Sequence, residues 1–208
     1  MNAKDEILQR LRAALGETPA RAGEVTVRDY QTGDEPGADR VALLADRLAD
    51  YRATVRRCEA AEVGAAVAAA LAGTRLVVAP ADLPQAWLAA YPGEVARDGD
   101  AALSVADLDA AGVSVVTGCA AALAETGTIV LDAGARQGRR ALTLVPDHHV
   151  CVVLPGQVTV SVPAGLARLA DPRRPLTFIS GPSATSDIEL ERVEGVHGPR
   201  RLDVILVE

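Results

Sequence analysis

Two glycine-punctuated stretches, with one bend upstream of them, hold the residues of this chain that can do chemistry. Gly181-Pro182-Ser183-Ala184-Thr185-Ser186-Asp187-Ile188-Glu189 follows the apolar run 176–180, and Gly195-Val196-His197-Gly198-Pro199-Arg200 comes shortly after. The apolar run predicts a short buried strand that ends at the Gly-Pro turn. Ser183 and Thr185 then predict the N-cap of a helical turn, in which Asp187 and Glu189 stand where the helix dipole favours negative charge. Open α/β sheets bind ligands where a strand passes through a glycine turn into a helix, at the carboxyl ends of the strands. The backbone N–H groups of such a turn form an anion or cofactor pocket; the alternative is an ordinary strand-to-helix turn. Asp187 and Glu189 repel a nearby phosphate unless a cation intervenes. Either they point away, or the ligand is not a bare anion.

His197, set among Gly195, Gly198 and Pro199, is expected on a fixed loop. A histidine so placed can take the hydroxyl proton of a 2-hydroxy acid or donate a hydrogen bond, with Arg200 or Arg201 holding the carboxylate in a two-toothed pair. The alternative is a histidine that satisfies loop backbone groups. Glu125 precedes Thr126-Gly127-Thr128 at the tip of a bend, where a carboxylate is a nucleophile if desolvated or a hydrogen-bonding turn residue if not. His148 and His149 are adjacent on an extended segment and point to opposite faces, so they do not share a metal. One reaches the pocket, or both lie on the surface, which is the preferred reading. Arg136, Arg139 and Arg140 hold a phosphate or an acidic partner, or form a solvated loop.

The GPSATSDIE and GVHGP motifs, taken with Ala124–Thr128, resemble the LUD domain family, and lactate utilization protein C in particular. The resemblance runs from Asp39 onward, and residues 1–38 carry no matching motif. It implies an α/β fold: a three-layer αβα arrangement around a mostly parallel sheet, similar to the ribose-phosphate isomerase, glucosamine-phosphate deaminase and coenzyme A transferase superfamily. It also implies a part in bacterial oxidation of L-lactate to pyruvate beside iron–sulfur partner proteins. By this resemblance His197, Glu125 and Asp187 are candidate catalytic residues. Thr126, Gly127, Thr128, Gly181, Pro182, Ser183, Thr185, Glu189, Gly198 and Arg200 are candidate ligand-binding residues, for a small carboxylate or phosphorylated ligand. The transferases use a glutamate nucleophile, but the residues around Glu125 match the lactate utilization pattern, so that role is not carried over. Two other classes stay open: a freestanding enzyme acting on a sugar phosphate or acyl thioester, and a ligand-binding module without chemistry.

Composition narrows the classes. A net charge of -7 and 2% aromatic content argue against a nucleic-acid partner, which needs basic residues for phosphates and rings for base stacking. The three cysteines, Cys58, Cys119 and Cys151, form no C-x-x-C pair, so a zinc site or a self-contained iron–sulfur cluster is not expected. Neither a dinucleotide fingerprint nor a P-loop is present. No cofactor is therefore expected in this chain, and iron–sulfur clusters belong to its partners. Without an export segment or a membrane-length apolar run, the expected compartment is the cytoplasm.

The elements that must position these residues follow from periodicity. Ile7, Leu8, Leu11 and Leu15 form the stripe of a helix capped by Asn2 and ended at Gly16. A breaker-rich tether to residue 38 leads into a domain spanning 39–208. The helix docks on its own domain, on a second copy or on a partner. Helices are expected at Val41–Tyr51, Glu62–Leu71, around Trp87, from Ser104, and at Val160–Leu169. Strands are expected at Thr54–Val55, Arg75–Ala79, near Val95, and at Val113–Thr117, Val150–Leu154, Leu176–Ser180 and Leu202–Val207. This alternation predicts a parallel sheet covered on both faces. Ala121–Ala124 and Thr128–Leu131 predict a hairpin inserted in that sheet.

Overall fold

The computed structural model describes residues 3–16, 39–99, 102–171, 173–185, 193–195 and 197–208. The chain divides into two units, Met1–Gln31 and Thr32–Glu208. In the first, α1 (Ala3–Leu15) forms over the expected stripe and ends at Gly16. None of its residues is buried, and Ile7, Leu11 and Leu15 are more than half exposed. Glu6 and Arg10, one turn apart and 2.6 Å from each other, give such a helix a few tenths of a kcal/mol. The expected cap Asn2 and the tether 17–38 lie outside the described residues. The expected domain boundary falls there too.

The second unit runs α2 (Arg40–Asp50), β1 (Thr54–Cys58), α3 (Val63–Ala70), β2 (Leu76–Pro80), β3 (Glu94–Asp98), α4 (Val105–Leu108), β4 (Val113–Thr117), β5 (Ala121–Leu123), β6 (Thr128–Leu131), α5 (Ala141–Leu144), β7 (His148–Val153), β8 (Val158–Thr159), α6 (Val162–Leu166), β9 (Thr177–Ile179), β10 (Ala184–Thr185), β11 (Val193–Glu194) and β12 (Arg201–Val207). Three short 3-10 turns, Ala60–Glu62, Gln85–Leu88 and Pro155–Gln157, complete it. Local chemistry sets the helix starts. The Asp39 carboxylate accepts from the Ala42 N–H at 3.0 Å, and Ser104 with Asp107 forms the reciprocal capping box of α4. Ser161 caps α6 with Pro163 in its first turn. Among the described residues no helix is long and apolar enough to cross a membrane.

Six strands form an all-parallel sheet in the order β1-β12-β7-β4-β2-β3. Its central strands β4 and β7 are buried along their whole length, as strands covered on both faces must be. With helices against it, this is the expected α/β arrangement. On one face Val116, Val150, Val152 and Ile205 pack with Val63 and Val67 of α3. On the other, Cys151, Val153, Leu202 and Val204 meet Leu44 and Leu48 of α2 together with residues of a second sheet. That second sheet, in the order β8-β5-β6-β9, corrects two expectations. The β5–β6 hairpin forms around Gly127 with antiparallel pairing, but it is not inserted in the parallel sheet. The strand before the Gly181 turn, β9, pairs antiparallel with β6 and leaves Phe178 exposed.

A hydrogen-bonded chain crosses the sheet on the α3 face. The Thr74 hydroxyl meets Ser114 Oγ at 2.8 Å, Ser114 Oγ meets His148 Nδ1 at 2.9 Å, and His148 Nε2 meets Asp203 Oδ2 at 2.9 Å. Ser114, His148 and Asp203 are each at most 5% exposed. They tie the three neighbouring strands β4, β7 and β12 together. The serine hydroxyl is engaged on both sides, so the three act as a brace and not as a nucleophile with its base.

The strand order reverses between β2 and β4, and their carboxyl ends are where this architecture usually opens a crevice. Here the 132–140 loop fills it. Gly118 N–H donates to Arg136 O at 2.8 Å, Arg136 N–H donates to Asp82 at 2.7 Å, and the Arg136 guanidinium lies 5.9 Å from the Trp87 ring centre. Arg139 grips Asp98 with two bonds at 2.9 and 3.0 Å, which holds that carboxyl below its usual range. For Arg139 the reading of a solvated loop does not hold.

Candidate functional site

The residues of the two C-terminal motifs converge. Gly181, Pro182 and Ser183 from one, with His197, Gly198 and Pro199 from the other, wall a single cavity of about 260 Å³. Its floor is His149 and Leu202, the second residues of β7 and β12, and α5 contributes Thr143 and Leu144. The cavity therefore opens by the amino ends of two parallel strands, not at the carboxyl ends as expected. The cause is the second sheet: β9 runs along that face and delivers its turn there.

Beyond Gly181 the expected helix start is replaced by the short strand β10, paired antiparallel with β11. Ser183 does not cap a helix. It joins the two motifs: its N–H donates to Pro199 O at 2.8 Å, its carbonyl accepts from Gly195 N–H at 2.8 Å, and its hydroxyl accepts from His197 N–H at 2.9 Å. Thr185 lies on β10. Asp187 and Glu189, expected beside the pocket, lie outside the described residues, as does Val196. Gly181 holds a φ of +90°, and a Cβ added there would run into the carbonyl oxygen of Tyr51 and lie 2.8 Å from its Cβ. A residue without a side chain lets the turn seat against the end of α2.

The upstream bend sits beside the cavity but does not line it. Glu125 and Thr126 are exposed and open on a separate hollow with Arg47, Asp50 and Tyr51. Glu125 thus lacks the desolvated setting that a carboxylate nucleophile needs. Gly127, buried at φ +59° against Arg47 of α2, turns the hairpin. A file of hydroxyls connects bend and cavity: Thr126 to Thr128 at 2.8 Å, and Thr128 to Ser180, a cavity residue, at 2.8 Å.

His197 is exposed at the cavity rim. The expected arginine grip is committed elsewhere. Arg200 Nε donates to Asp147 at 2.6 Å, which depresses that carboxyl's pKa, and Arg201 reaches toward Asp203 at 3.5 Å. Sequence reasoning missed His149. Both neighbouring histidines are buried, at 5% and 1% exposure, because β7 begins two residues earlier than the apolar run suggested. They do point to opposite faces, and this alternation is the signal that could have found His149: if one joins the brace, the other must face the second sheet. Its Nε2 lies 2.7 Å from the Thr117 hydroxyl, while its Nδ1 is buried without a partner. Burial, with a smaller repulsion from His148, lowers its pKa to about 3.

Among the described residues, no three of His, Cys, Asp or Glu stand close enough to share a metal ion. Cys119 and Cys151 are buried neighbours; their mutual hydrogen bond and burial push the Cys119 thiol well up, away from the reactive thiolate.

Comparison with known proteins identifies the family. Residues 107–207, which hold both motifs and the hairpin, match the LUD domain family. The chain is 53% identical over 165 residues to Lactate utilization protein C of Deinococcus radiodurans, spanning 78% of this chain and 76% of that protein. It is 39% identical over 93 residues to Lactate utilization protein C of Halalkalibacterium halodurans, covering 41% of this chain and 40% of that one. A crystal structure of a DUF162 family protein from Deinococcus radiodurans superposes with a TM-score of 0.68 at 41% identity, over 81% of this chain and 96% of that one. The chain is a LUD-domain protein. Within that class it belongs to the lactate utilization protein C family.

Proposed function

We propose that this protein takes part in the oxidation of L-lactate to pyruvate as a subunit that carries no redox centre, working with iron–sulfur partner proteins in the cytoplasm. The cavity between the two motifs is its working site. The observation that carries this reading is the joining of the two motifs through Ser183, in a chain that is 53% identical over 165 residues to a protein called Lactate utilization protein C. Three cysteines are too few for the four thiolates of a typical cluster, which supports assigning electron transfer to partners. His197, at the rim, meets what enters; Ser183 sets the distance between the walls.

The test is reconstitution. Candidate iron–sulfur partner proteins, sought among the products of the neighbouring genes, are purified and L-lactate-dependent pyruvate formation is measured with and without this chain. Turnover should require the chain, and His197→Ala should lower it by about tenfold or more while shifting stability by less than about 0.5 kcal/mol, since the side chain is exposed. Full turnover without this chain would end the proposal. Unchanged turnover with His197→Ala would remove the imidazole from it.

A further inference from the structure

We propose that Arg140 holds the carboxylate of a small 2-hydroxy acid at the mouth of the cavity, with the acid's hydroxyl directed to His197 and its carbon body against the apolar wall. This rests on the reading of the cavity as the working site, and it gives Arg140 the grip that was expected of Arg200 or Arg201.

The first support is position. Arg140 has helical backbone angles at the start of α5, φ -53° and ψ -32°. It precedes Thr143 and Leu144 by three and four residues, the spacing that puts side chains on one face of a helical turn, and both of those residues wall the cavity. The Arg140 carbonyl accepts from the Thr143 N–H at 3.2 Å and from its hydroxyl at 3.3 Å. An arginine side chain is longer than the rise of one helical turn, about 5.4 Å, so the guanidinium reaches the cavity edge from there. Arg140 also borders a slit of about 10 Å³ beside Thr143 and Thr177. Those two residues line the cavity as well, so slit and cavity meet at that pair. The slit has room for about one water; the cavity of about 260 Å³ is the space beside Arg140 that admits an acid.

The second support is the state of the guanidinium. The other arginines of this region are committed: Arg136 lies over Trp87, Arg139 is bound to Asp98, Arg174 stands 3.7 Å from Asp132, and Arg200 is bound to Asp147. Arg140 is exposed, and its guanidinium has no hydrogen-bond or ion-pair partner among the described residues. A planar guanidinium offers a carboxylate two parallel N–H donors, and here no existing pair has to break when the acid arrives. An exposed position suits a grip at the mouth. The carboxylate keeps part of its hydration there and escapes the penalty of full burial. The lining fits the rest of the acid: Leu144, Phe178 and Ile179 offer apolar surface to the carbon body, and the His197 imidazole at the rim offers a nitrogen to the hydroxyl.

The test is charge-selective binding to the isolated chain, followed by NMR at pH 7.5 through the imidazole signals of His197, one of three histidines, with His197→Ala used to assign them. L-Lactate at millimolar concentrations should shift these signals saturably, and its neutral counterpart L-lactamide should need at least tenfold more. Arg140→Ala should raise the Kd for L-lactate about tenfold, as for the loss of a charged, two-toothed hydrogen bond, and leave that for L-lactamide within twofold. Arg140→Lys, which keeps the charge but not the paired donors, should recover part of the loss. Arg173→Ala removes an equal charge from a side chain that is 88% exposed and should change neither affinity. An L-lactate affinity unchanged in Arg140→Ala would overturn the assignment. Equal weakening of L-lactate and L-lactamide, the mark of a packing change, would overturn it too. Failure of the parent to bind L-lactate, together with chain-dependent turnover in the reconstituted system, would overturn it and leave the proposed function standing.

Discussion

Replacing Gly181 with alanine is the sharpest test of how the cavity wall is held. The added methyl meets two obstacles. A left-handed backbone costs an L-residue about 1–2 kcal/mol, and at φ +90° no relaxation within the turn removes that. The methyl also collides with the carbonyl oxygen and Cβ of Tyr51, the C-cap of α2. That backbone is fixed by Leu44 and Leu48, both fully buried. Either the turn lifts or the end of α2 yields, at a further cost of about 1–2 kcal/mol. The sum is about 2–4 kcal/mol, or roughly 5–15 °C in melting temperature for a domain of this size. Thermal and urea unfolding followed by circular dichroism would measure it. Gly156→Ala, where a Cβ meets nothing within 4 Å, is the control and should change stability by less than about 1 kcal/mol. If Gly181→Ala unfolds within about 0.5 kcal/mol of the parent, the turn is not seated on α2 as described. Because the same turn walls the cavity, the variant should also lose lactate-dependent turnover in the reconstituted system.

Other perturbations follow from the buried polar groups. His149 has a folded pKa near 3 against an ordinary 6.5. The unfolded chain therefore takes up a proton first, and stability present above about pH 6.5 is lost as pH falls toward 3, by something of the order of 4 kcal/mol. Urea titrations at pH 7.5, 6, 5 and 4 should show this slope in the parent and a shallower one in His149→Phe. Asp203→Ala leaves His148 Nε2 without its partner at 2.9 Å and should cost about 3 kcal/mol, or roughly 6–12 °C in a melting experiment. A loss below about 1 kcal/mol would mean that the three-strand brace contributes little. Asp98→Asn should cost about 1–2 kcal/mol at pH 7, the modest end of a charged hydrogen bond, because Arg139 is 37% exposed. The depressed carboxyl gives its stability above the ordinary value of 3.8 and loses it below, so the gap between parent and variant should close as the pH falls through that range; a constant gap would contradict the pairing.

Most strands and helix starts were legible in the sequence because their causes are local. Val113–Thr117 and Leu202–Val207 are apolar runs of strand length, and the structure buries them as β4 and β12 in the parallel sheet. Ser104 and Asp107 stand three apart, the spacing of a capping box, and α4 starts there. The Gly127 bend announced its hairpin, since a tight turn needs the left-handed conformation that glycine adopts freely. The two motifs were read as the candidate site, and the structure brings Gly181, Pro182 and Ser183 of one together with His197, Gly198 and Pro199 of the other at one cavity.

What the residues could not decide is partnership across long separations. The apolar run says that a strand forms at β9 but not whose edge it joins; its pairing with β6, some fifty residues earlier, put the Gly181 turn at the amino ends of β7 and β12. Ser183 has the chemistry of an N-cap, and any local reading gives it a helix. The His197 N–H, fourteen residues away, takes that hydroxyl instead, and a strand results. His149 was one of two equivalent neighbours until packing sent His148 into the brace with Asp203 and put His149 on the opposite face, bonded to Thr117 and with its other ring nitrogen buried. Composition and local spacing thus determined which segments form, because backbone preferences act over a few residues. The tertiary structure alone decided where the cavity lies and which residues line it, because those depend on pairings between segments that no local preference specifies.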